Sequence, residues 1–219
     1  IAPVGCVEPH SSSIESPPMI DVCLLPTVVQ PEALAGHTVV VIDVLRATTT
    51  MAHALTAGAK EIIPCLEVDE ARQQAAKLGR ENVLLGGERG GVLIEGFDLG
   101  NSPCDYTPET VGGRTLVFTT TNGTAALLRC RQAERIVLGS LVNRSSVADA
   151  VQSAEKLTIV CAGTRGRITR EDVFAAGAIV EHLTSQPSRM PNLSATARLA
   201  QATWQSVSAP GPASLLTAM

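Results

Sequence analysis

Acidic, basic and hydroxyl side chains cluster in a few short turns of this chain. Residues 39–53 read VVVIDVLRATTTMAH: four β-branched apolar residues, then Asp43, Arg46 and the hydroxyls of Thr48, Thr49 and Thr50. A second group holds Glu88, Arg89, Asp98, Asn101 and Ser102. A third, TTTNGT at 119–124, supplies Thr119, Thr120, Thr121, Asn122, Gly123 and Thr124. A fourth carries Thr164, Arg165, Arg167, Glu171 and Asp172. The five carboxylates, with no histidine in any of these turns, point to a hard, oxygen-seeking cation such as Mg²⁺. The hydroxyls, amides and arginines suit an anionic ligand. Together they fit metal-assisted phosphoryl chemistry, with the metal polarising a phosphoryl oxygen and activating a water. Arginines and helix N-termini would hold the remaining oxygens. Taken alone, Asp43 and Arg46 are equally consistent with a pair that only caps its turn.

These turns need strands and helices to hold them. A solid apolar run before a polar turn reads as a buried parallel strand. Residues 39–43 are such a strand, so Asp43 sits at its carboxyl end, where open α/β sheets bind ligands. Thr48 or Thr49 is the expected N-cap of a helix over 49–57 that stops at Gly58. Further strands are expected at 19–26, 61–65, 83–86, 115–119, 135–139 and 157–162. Further helices are expected at 68–78, 125–130, 143–152 and 170–183. The segment 39–63 lines up with 115–137, placing Asp43 opposite Thr119, Arg46 opposite Asn122 and Thr48 opposite Thr124. The expectation is an α/β fold, a three-layer α/β/α domain with a mostly parallel or mixed sheet. Two partly repeated βαβα halves would bring their polar turns to one sheet edge.

Residues 87–103, GERGGVLIEGFDLGNSP, form the longest loop. Its five glycines permit close backbone approach to a ligand, or simply make the turns of a surface hairpin. Residues 1–18 read as a Pro/Ser-rich tail, 19–183 as the domain, and 184–219 as a C-terminal helix with a loose end. That helix, over 194–207, would dock through Leu199, Trp204 and Val207, with Pro-Gly-Pro at 210–212 beyond it.

Composition narrows the partners. Aromatics make up 2% of the 219 residues, the net charge is −4, and no basic run occurs, so nucleic acid is not an expected partner. The chain has no membrane-span-like run of about 18 apolar residues. Its six cysteines are scattered without CxxC spacing, which suits a reducing, cytoplasmic setting. An apolar, lysine-poor chain is compatible with a homo-oligomer. No Walker GxxxxGK[ST] occurs, and no GxGxxG follows a strand. Cys161 and Arg167 have the Cys-x5-Arg spacing of cysteine phosphatases, but Val160 stands where a histidine usually precedes the cysteine, and Cys161 continues an apolar strand.

VIDVLRATTT, GGERGG…GFDLGNSP, TTTNGT and VCAGT…ED occur in the order found in the 2-phosphosulfolactate phosphatase family, which residues 19–183 resemble. The resemblance implies an α/β/α, Mg²⁺-dependent phosphatase that converts (R)-2-phospho-3-sulfolactate to 3-sulfolactate and phosphate, a step of coenzyme M biosynthesis in methanogens. It implies Asp43, Glu88 and Asp172 as metal ligands or their water-mediated partners, with Asp98 and Glu171 in reserve. Arg46, Asn122 and Thr124 would hold the phosphate, with Thr120 and Gly123 as further substrate-binding residues. Arg89, Asn101 and Arg165 would meet the sulfonate or carboxylate. The nearly acid-free tail after residue 183 departs from the family's usual ending.

Overall fold

A computed structural model describes residues 17–185 and 191–208. Short runs of Val, Ile and Leu form strands β1 (Met19–Cys23), β2 (Thr38–Ile42), β3 (Glu61–Pro64), β4 (Val83–Gly87), β5 (Thr115–Thr119), β6 (Arg135–Gly139), β7 (Lys156–Cys161) and β8 (Asn192–Leu193). Between them lie helices α1 (Ala47–Thr56), α2 (Val68–Leu78), α3 (Pro108–Val111), α4 (Gly123–Arg129), α5 (Arg144–Val151), α6 (Arg170–Thr184) and α7 (Ala195–Ser208). Among the described residues no helix is long and apolar enough to cross a membrane.

Every strand pairing is parallel. The α/β/α layering holds, but the strands divide between two sheets, β6-β2-β7-β1-β8 and β3-β5-β4. Side-chain alternation shows how they stack. Val39 and Val41 of β2 join a middle cluster with Met51 and Ala54 of α1, Ala126 and Leu127 of α4, and Leu116 and Phe118 of β5. Val40 and Ile42 point the other way, to α5, α6 and α7. Val117 of β5 points away from the middle, to Ala71 and Ala75 of α2. Helices α1 and α4 are therefore a layer shared by both sheets. Fully buried residues such as Ile20, Ile42, Leu116 and Ile159 each contribute about 1.5–3 kcal/mol by leaving water.

The two polar turns therefore do not lie on one sheet edge as expected. The Asp43 turn follows β2 in the larger sheet and the 119–124 turn follows β5 in the smaller. They meet because the helices they feed, α1 and α4, share one layer. The repeat is visible in hydrogen bonds, displaced by one residue. The Thr48 hydroxyl accepts from the Asp43 amide at 2.9 Å, and the Thr124 hydroxyl accepts from the Thr120 amide at 3.1 Å. The Ala47 amide donates to Asp43 Oδ1 at 3.3 Å, and the Thr124 amide to Thr120 Oγ1 at 3.2 Å. Thr120 is thus the counterpart of Asp43, with one extra residue in the first turn. Thr48 and Thr49 are inside α1 and do not cap it; Arg46 is the N-cap residue. The Thr48 hydroxyl lies 2.6 Å from the Gly139 carbonyl and 2.9 Å from that of Asp43, tying the end of β2 to the end of β6.

The C-terminal helix forms close to where the sequence places it, and of its three expected docking residues Trp204 packs against α6 while Leu199 and Val207 do not. Ala197 and Ala200 are buried, while Leu199 and Val207 are half exposed, at 55% and 50%. The cause is Gly177 on α6. A Cβ built there would lie 2.0 Å from the Ala200 carbonyl oxygen and 2.8 Å from Trp204 Cβ. Backbones that close favour small residues such as Ala197 and Ala200 at the crossing, with Trp204 packed beside it. The expected tail at 1–18 and the Pro-Gly-Pro at 210–212 lie outside the described residues, except for residues 17 and 18. Gly177→Ala should gain some helix propensity yet lose about 1–3 kcal/mol overall, because the clash is with backbone. A lower urea unfolding midpoint with an unchanged slope would report it.

Candidate active site

The carboxyl ends of both sheets open onto one cleft of about 740 Å³. Asp43, Arg46, Glu88, Asn101, Asn122 and Arg165 line it, together with Gly90, Gly91, Thr121, Thr164 and Arg167. Four separate sequence segments thus converge, as their shared polarity suggests.

Asp43 stands at the floor, 7% exposed. Its Oδ1 takes the Ala47 amide. Its Oδ2 accepts no hydrogen bond among the described residues. Nor does Asp43 form an ion pair with Arg46 there, which removes the reading of the two as a turn cap. Burial pushes the Asp43 carboxyl up to about 7, and the nearby Asp172 charge adds to this, against the opposing Ala47 amide. Gly123 approaches so closely that a Cβ there would lie 2.8 Å from Asp43 Oδ2. That glycine leaves the oxygen uncovered.

Asp172 and Glu88 do something different from Asp43. Asp172 is 2% exposed, and its two oxygens accept the Val44 and Gly163 amides, each at 2.9 Å. It fastens the turn after β2 to the turn after β7. Burial raises its pKa, and the two amides work against that rise. Glu88 does the same in the smaller sheet. Its Oε1 accepts the Thr121 amide at 2.8 Å, and its Oε2 takes the Thr121 hydroxyl at 3.2 Å and the Gly91 amide at 2.5 Å. Glu88 reaches this place because Gly87, with φ +136°, lets β4 run against β5. A Cβ at Gly87 would overlap the Thr119 carbonyl, to which the Glu88 amide donates at 3.0 Å.

The ligand set of Asp43, Glu88 and Asp172 is therefore not assembled. Among the described residues no group of three His, Cys, Asp or Glu side chains could hold a metal ion, and two of these carboxylates already serve backbone amides. Of the reserves, Asp98 is held by Arg80 at 2.9 Å and by the Leu85 amide, whereas Glu171 is half-buried, forms no hydrogen bond or ion pair among the described residues, and its charge adds to the rise of the Asp43 pKa. The cleft still offers hard oxygen donors. Asn101 Oδ1 is buried without a hydrogen-bond partner, and Asp43 Oδ2 accepts none among the described residues. One carboxylate and one carbonyl fit Mg²⁺, which keeps several waters and completes its shell from substrate oxygens.

Other assignments also change. Arg89 turns away from the cleft, donating to the carbonyls of Glu88 and Leu66 and to the Thr119 hydroxyl at 2.6–2.9 Å. Thr120 and Thr124 are buried, bonded to each other's turn and outside the lining of the cleft, so they shape the start of α4. Asn122 Oδ1 is occupied by the Arg165 amide at 3.1 Å. Arg167 and Thr121 belong to the site though no role was read for them. The signal was available for Arg167, in the polar run TRGR after an apolar strand. The amides of Leu45, Arg46, Asn122 and Gly123 make no hydrogen bond among the described residues, leaving four donors in the two repeat-related turns. By contrast, the Val44, Ala47 and Thr48 amides are spent on Asp172 and Asp43. Cys161 is 1% exposed in the apolar cluster with Ile20 and Ile159, and burial pushes its thiol far above the usual range. It has no thiolate to offer, which removes the cysteine-phosphatase mechanism.

The profile of the 2-phosphosulpholactate phosphatase family matches residues 23–218. A protein of Caldanaerobacter subterraneus named as a probable 2-phosphosulfolactate phosphatase is 52% identical over 153 residues, covering 69% of this chain and 64% of that protein. Similarly named proteins of Caldicellulosiruptor saccharolyticus and Thermotoga petrophila are 47% and 44% identical, over 68% and 75% of this chain. The chain spans 64% of the length of the first two relatives. The family match covers most of the chain, including all four turns that build the cleft, and the chain therefore belongs to the 2-phosphosulpholactate phosphatase family.

Proposed function

We propose that this chain carries the catalytic cleft of a Mg²⁺-dependent phosphatase that hydrolyses (R)-2-phospho-3-sulfolactate to 3-sulfolactate and phosphate. The family match and the names of the relatives support the substrate. The observation that carries the chemistry is Asp43 Oδ2, a nearly buried carboxylate oxygen without a partner, in a cleft where Arg46, Arg165 and Arg167 form no ion pair among the described residues. A metal and an anion would each find unused partners there.

Asp43 would hold Mg²⁺, with Asn101 Oδ1 as a further oxygen donor. When bound, the ion supplies Lewis-acid polarisation of the phosphoryl group and activation of the attacking water. The chain's own groups do the rest. Arg46 and the unbonded amides of Leu45, Arg46, Asn122 and Gly123 take the phosphoryl oxygens, whose charge grows toward the transition state. Asp172 and Glu88 hold the turns that carry those donors, so little reorganisation is needed as charge develops.

Phosphate release from phosphosulfolactate tests this directly. Turnover should stop with EDTA and return with Mg²⁺, and a rate untouched by EDTA would remove the metal from the mechanism. Asp43→Asn keeps the acceptor for the Ala47 amide, so the fold should survive while kcat/KM falls at least about a hundredfold. A non-catalytic binder would instead be stabilised by sulfolactate or phosphate without turnover under any metal.

The raised Asp43 pKa gives a second outcome. The folded value of about 7 lies above the unfolded value of about 3.9, so the folded state favours the protonated form. This contribution to stability is complete below about pH 4 and is lost as pH rises through about 7. In cation-free buffer the stability of Asp43→Asn relative to the unsubstituted protein should grow over that window, by up to about 4 kcal/mol. Urea unfolding at several pH values measures it, and added Mg²⁺ should narrow the gap.

A further inference from the structure

In the turn after β2, Val44 is held on both of its backbone groups. Its amide donates to Asp172 at 2.9 Å, and its carbonyl accepts the Thr49 hydroxyl at 2.7 Å. A trans peptide unit sets its C=O and N–H in opposite directions. With the Val44 carbonyl turned to Thr49 on α1, the Leu45 amide of the same unit points the other way. Leu45 lines the cleft, and its amide makes no hydrogen bond among the described residues.

The fastening reaches back to the edge of the larger sheet. The Thr49 and Ser140 hydroxyl oxygens lie 2.6 Å apart. A threonine hydroxyl has one proton, and the Val44 carbonyl can only accept. The Thr49 proton therefore goes to Val44, and Ser140 donates to Thr49. Ser140 follows β6 and is fully buried. Asn143, just before α5, fixes its place: Oδ1 accepts the Ser140 amide at 2.8 Å, and Nδ2 donates to the Leu138 carbonyl at 2.9 Å. Each bond in such a chain polarises the next, which strengthens the Leu45 N–H as a donor. Neither Thr49 nor Ser140 lines the cleft. The related half of the fold lacks these hydroxyls. Thr124 is the counterpart of Thr48, which puts Ala125 opposite Thr49. A strand, turn and helix of this kind therefore form without the chain of hydroxyls, and it stands only beside the turn that carries Asp43 and Arg46.

We propose that Thr49 and Ser140 are positioning residues for phosphoryl transfer: through the Val44 carbonyl they aim the Leu45 amide at the phosphoryl group. This rests on the phosphatase reading above, in which that amide takes a phosphoryl oxygen. Charge on the oxygen grows toward the transition state, so a misdirected amide lowers kcat more than it weakens binding.

Phosphate release from 2-phospho-3-sulfolactate with Mg²⁺ tests this, with circular dichroism to show that each variant is folded. Thr49→Val keeps the shape of the side chain and removes the hydroxyl. Its kcat should fall at least about tenfold while KM changes less than about twofold. Thr49→Ser keeps the hydroxyl and should recover most of the loss. Ser140→Ala leaves Thr49 its proton for Val44 but removes the donor behind it, and kcat should fall about threefold. Thr56→Ala is the control. It removes a hydroxyl that donates to the Ala52 carbonyl at the far end of α1, and should leave kcat and KM as they were. An unchanged kcat in Thr49→Val or in Ser140→Ala, a Thr49→Ser as slow as Thr49→Val, or an equal fall in Thr56→Ala overturns the proposal. Ser140→Ala decides alone if Thr49→Val does not fold. If the unsubstituted protein releases no phosphate, the phosphatase reading fails, and the aim of the amide is then read by nuclear magnetic resonance with inorganic phosphate and Mg²⁺. The Leu45 amide resonance should shift on phosphate addition in the unsubstituted protein and in Thr56→Ala, and much less in Thr49→Val. No shift in the unsubstituted protein, or an equal shift in Thr49→Val, overturns the proposal.

Discussion

At the carboxyl edge of each sheet, a buried carboxylate accepts backbone amides from two neighbouring turns, and the cleft depends on these two fastenings. Asp172 joins the turns after β2 and β7; Glu88 joins those after β4 and β5. A carboxylate taken from water without partners would neutralise itself by binding a proton. With amides on both oxygens, each hydrogen bond to the charged group is worth about 1.5–3 kcal/mol. The consequence falls on Asp43. It sits beside the Asp172 charge with one free oxygen, and burial makes its own ionisation unfavourable. A proton relieves that, and in the proposed function a cation would do the same, so the device that makes the turns rigid would also make the floor of the cleft receptive to a metal.

The shared helical layer explains why two sheets make one site. Each polar turn feeds a helix, α1 or α4, and those two helices pack side by side between the sheets. The turns must therefore converge whatever their side chains are. Convergence alone would give symmetry, but the side chains differ at corresponding places. Asp43 offers an open oxygen, whereas Thr120 at the equivalent position spends its hydroxyl on the Thr124 amide. The same scaffold yields a cation-seeking turn in one half and, in the other, a closed turn that leaves the Asn122 and Gly123 amides free.

Most of the strands and helices were legible in the sequence because apolar runs and punctuating glycines mark them locally. Strand β6 and helix α2 fall where their periodicity places them. The division into two sheets was not legible, since it depends on which face of β5 each helix covers. The site was legible as a set of turns but less so as a set of roles. Arg89 looks like a ligand beside Glu88, yet a carbonyl and a hydroxyl from neighbouring elements capture its guanidinium. Asp172 looks like a metal ligand, yet two amides reach it from turns 9 and 128 residues away in sequence. Leu199 and Val207 of α7 look like part of its docking face beside Trp204, yet at Gly177 the backbones come so close that Ala197 and Ala200 take the buried places.

Charge in the cleft is sorted by depth. Asp43, Glu88 and Asp172 are at least nine-tenths buried, Arg46 is half-buried, and Arg165 and Arg167 are exposed. A uniformly basic cleft would attract a polyanion without orienting it. In the proposed function the floor would attract a cation and only then the group that cation can share, while the rim would attract anions outright. A ligand with several acidic groups would gain most when the group that best completes a metal's coordination points inward. Phosphate does this better than sulfonate, because it carries more charge per oxygen. In the proposed function the vertical order of acids below arginines would therefore fix which end of such a ligand meets the reacting atoms, before any contact specific to its carbon skeleton is made.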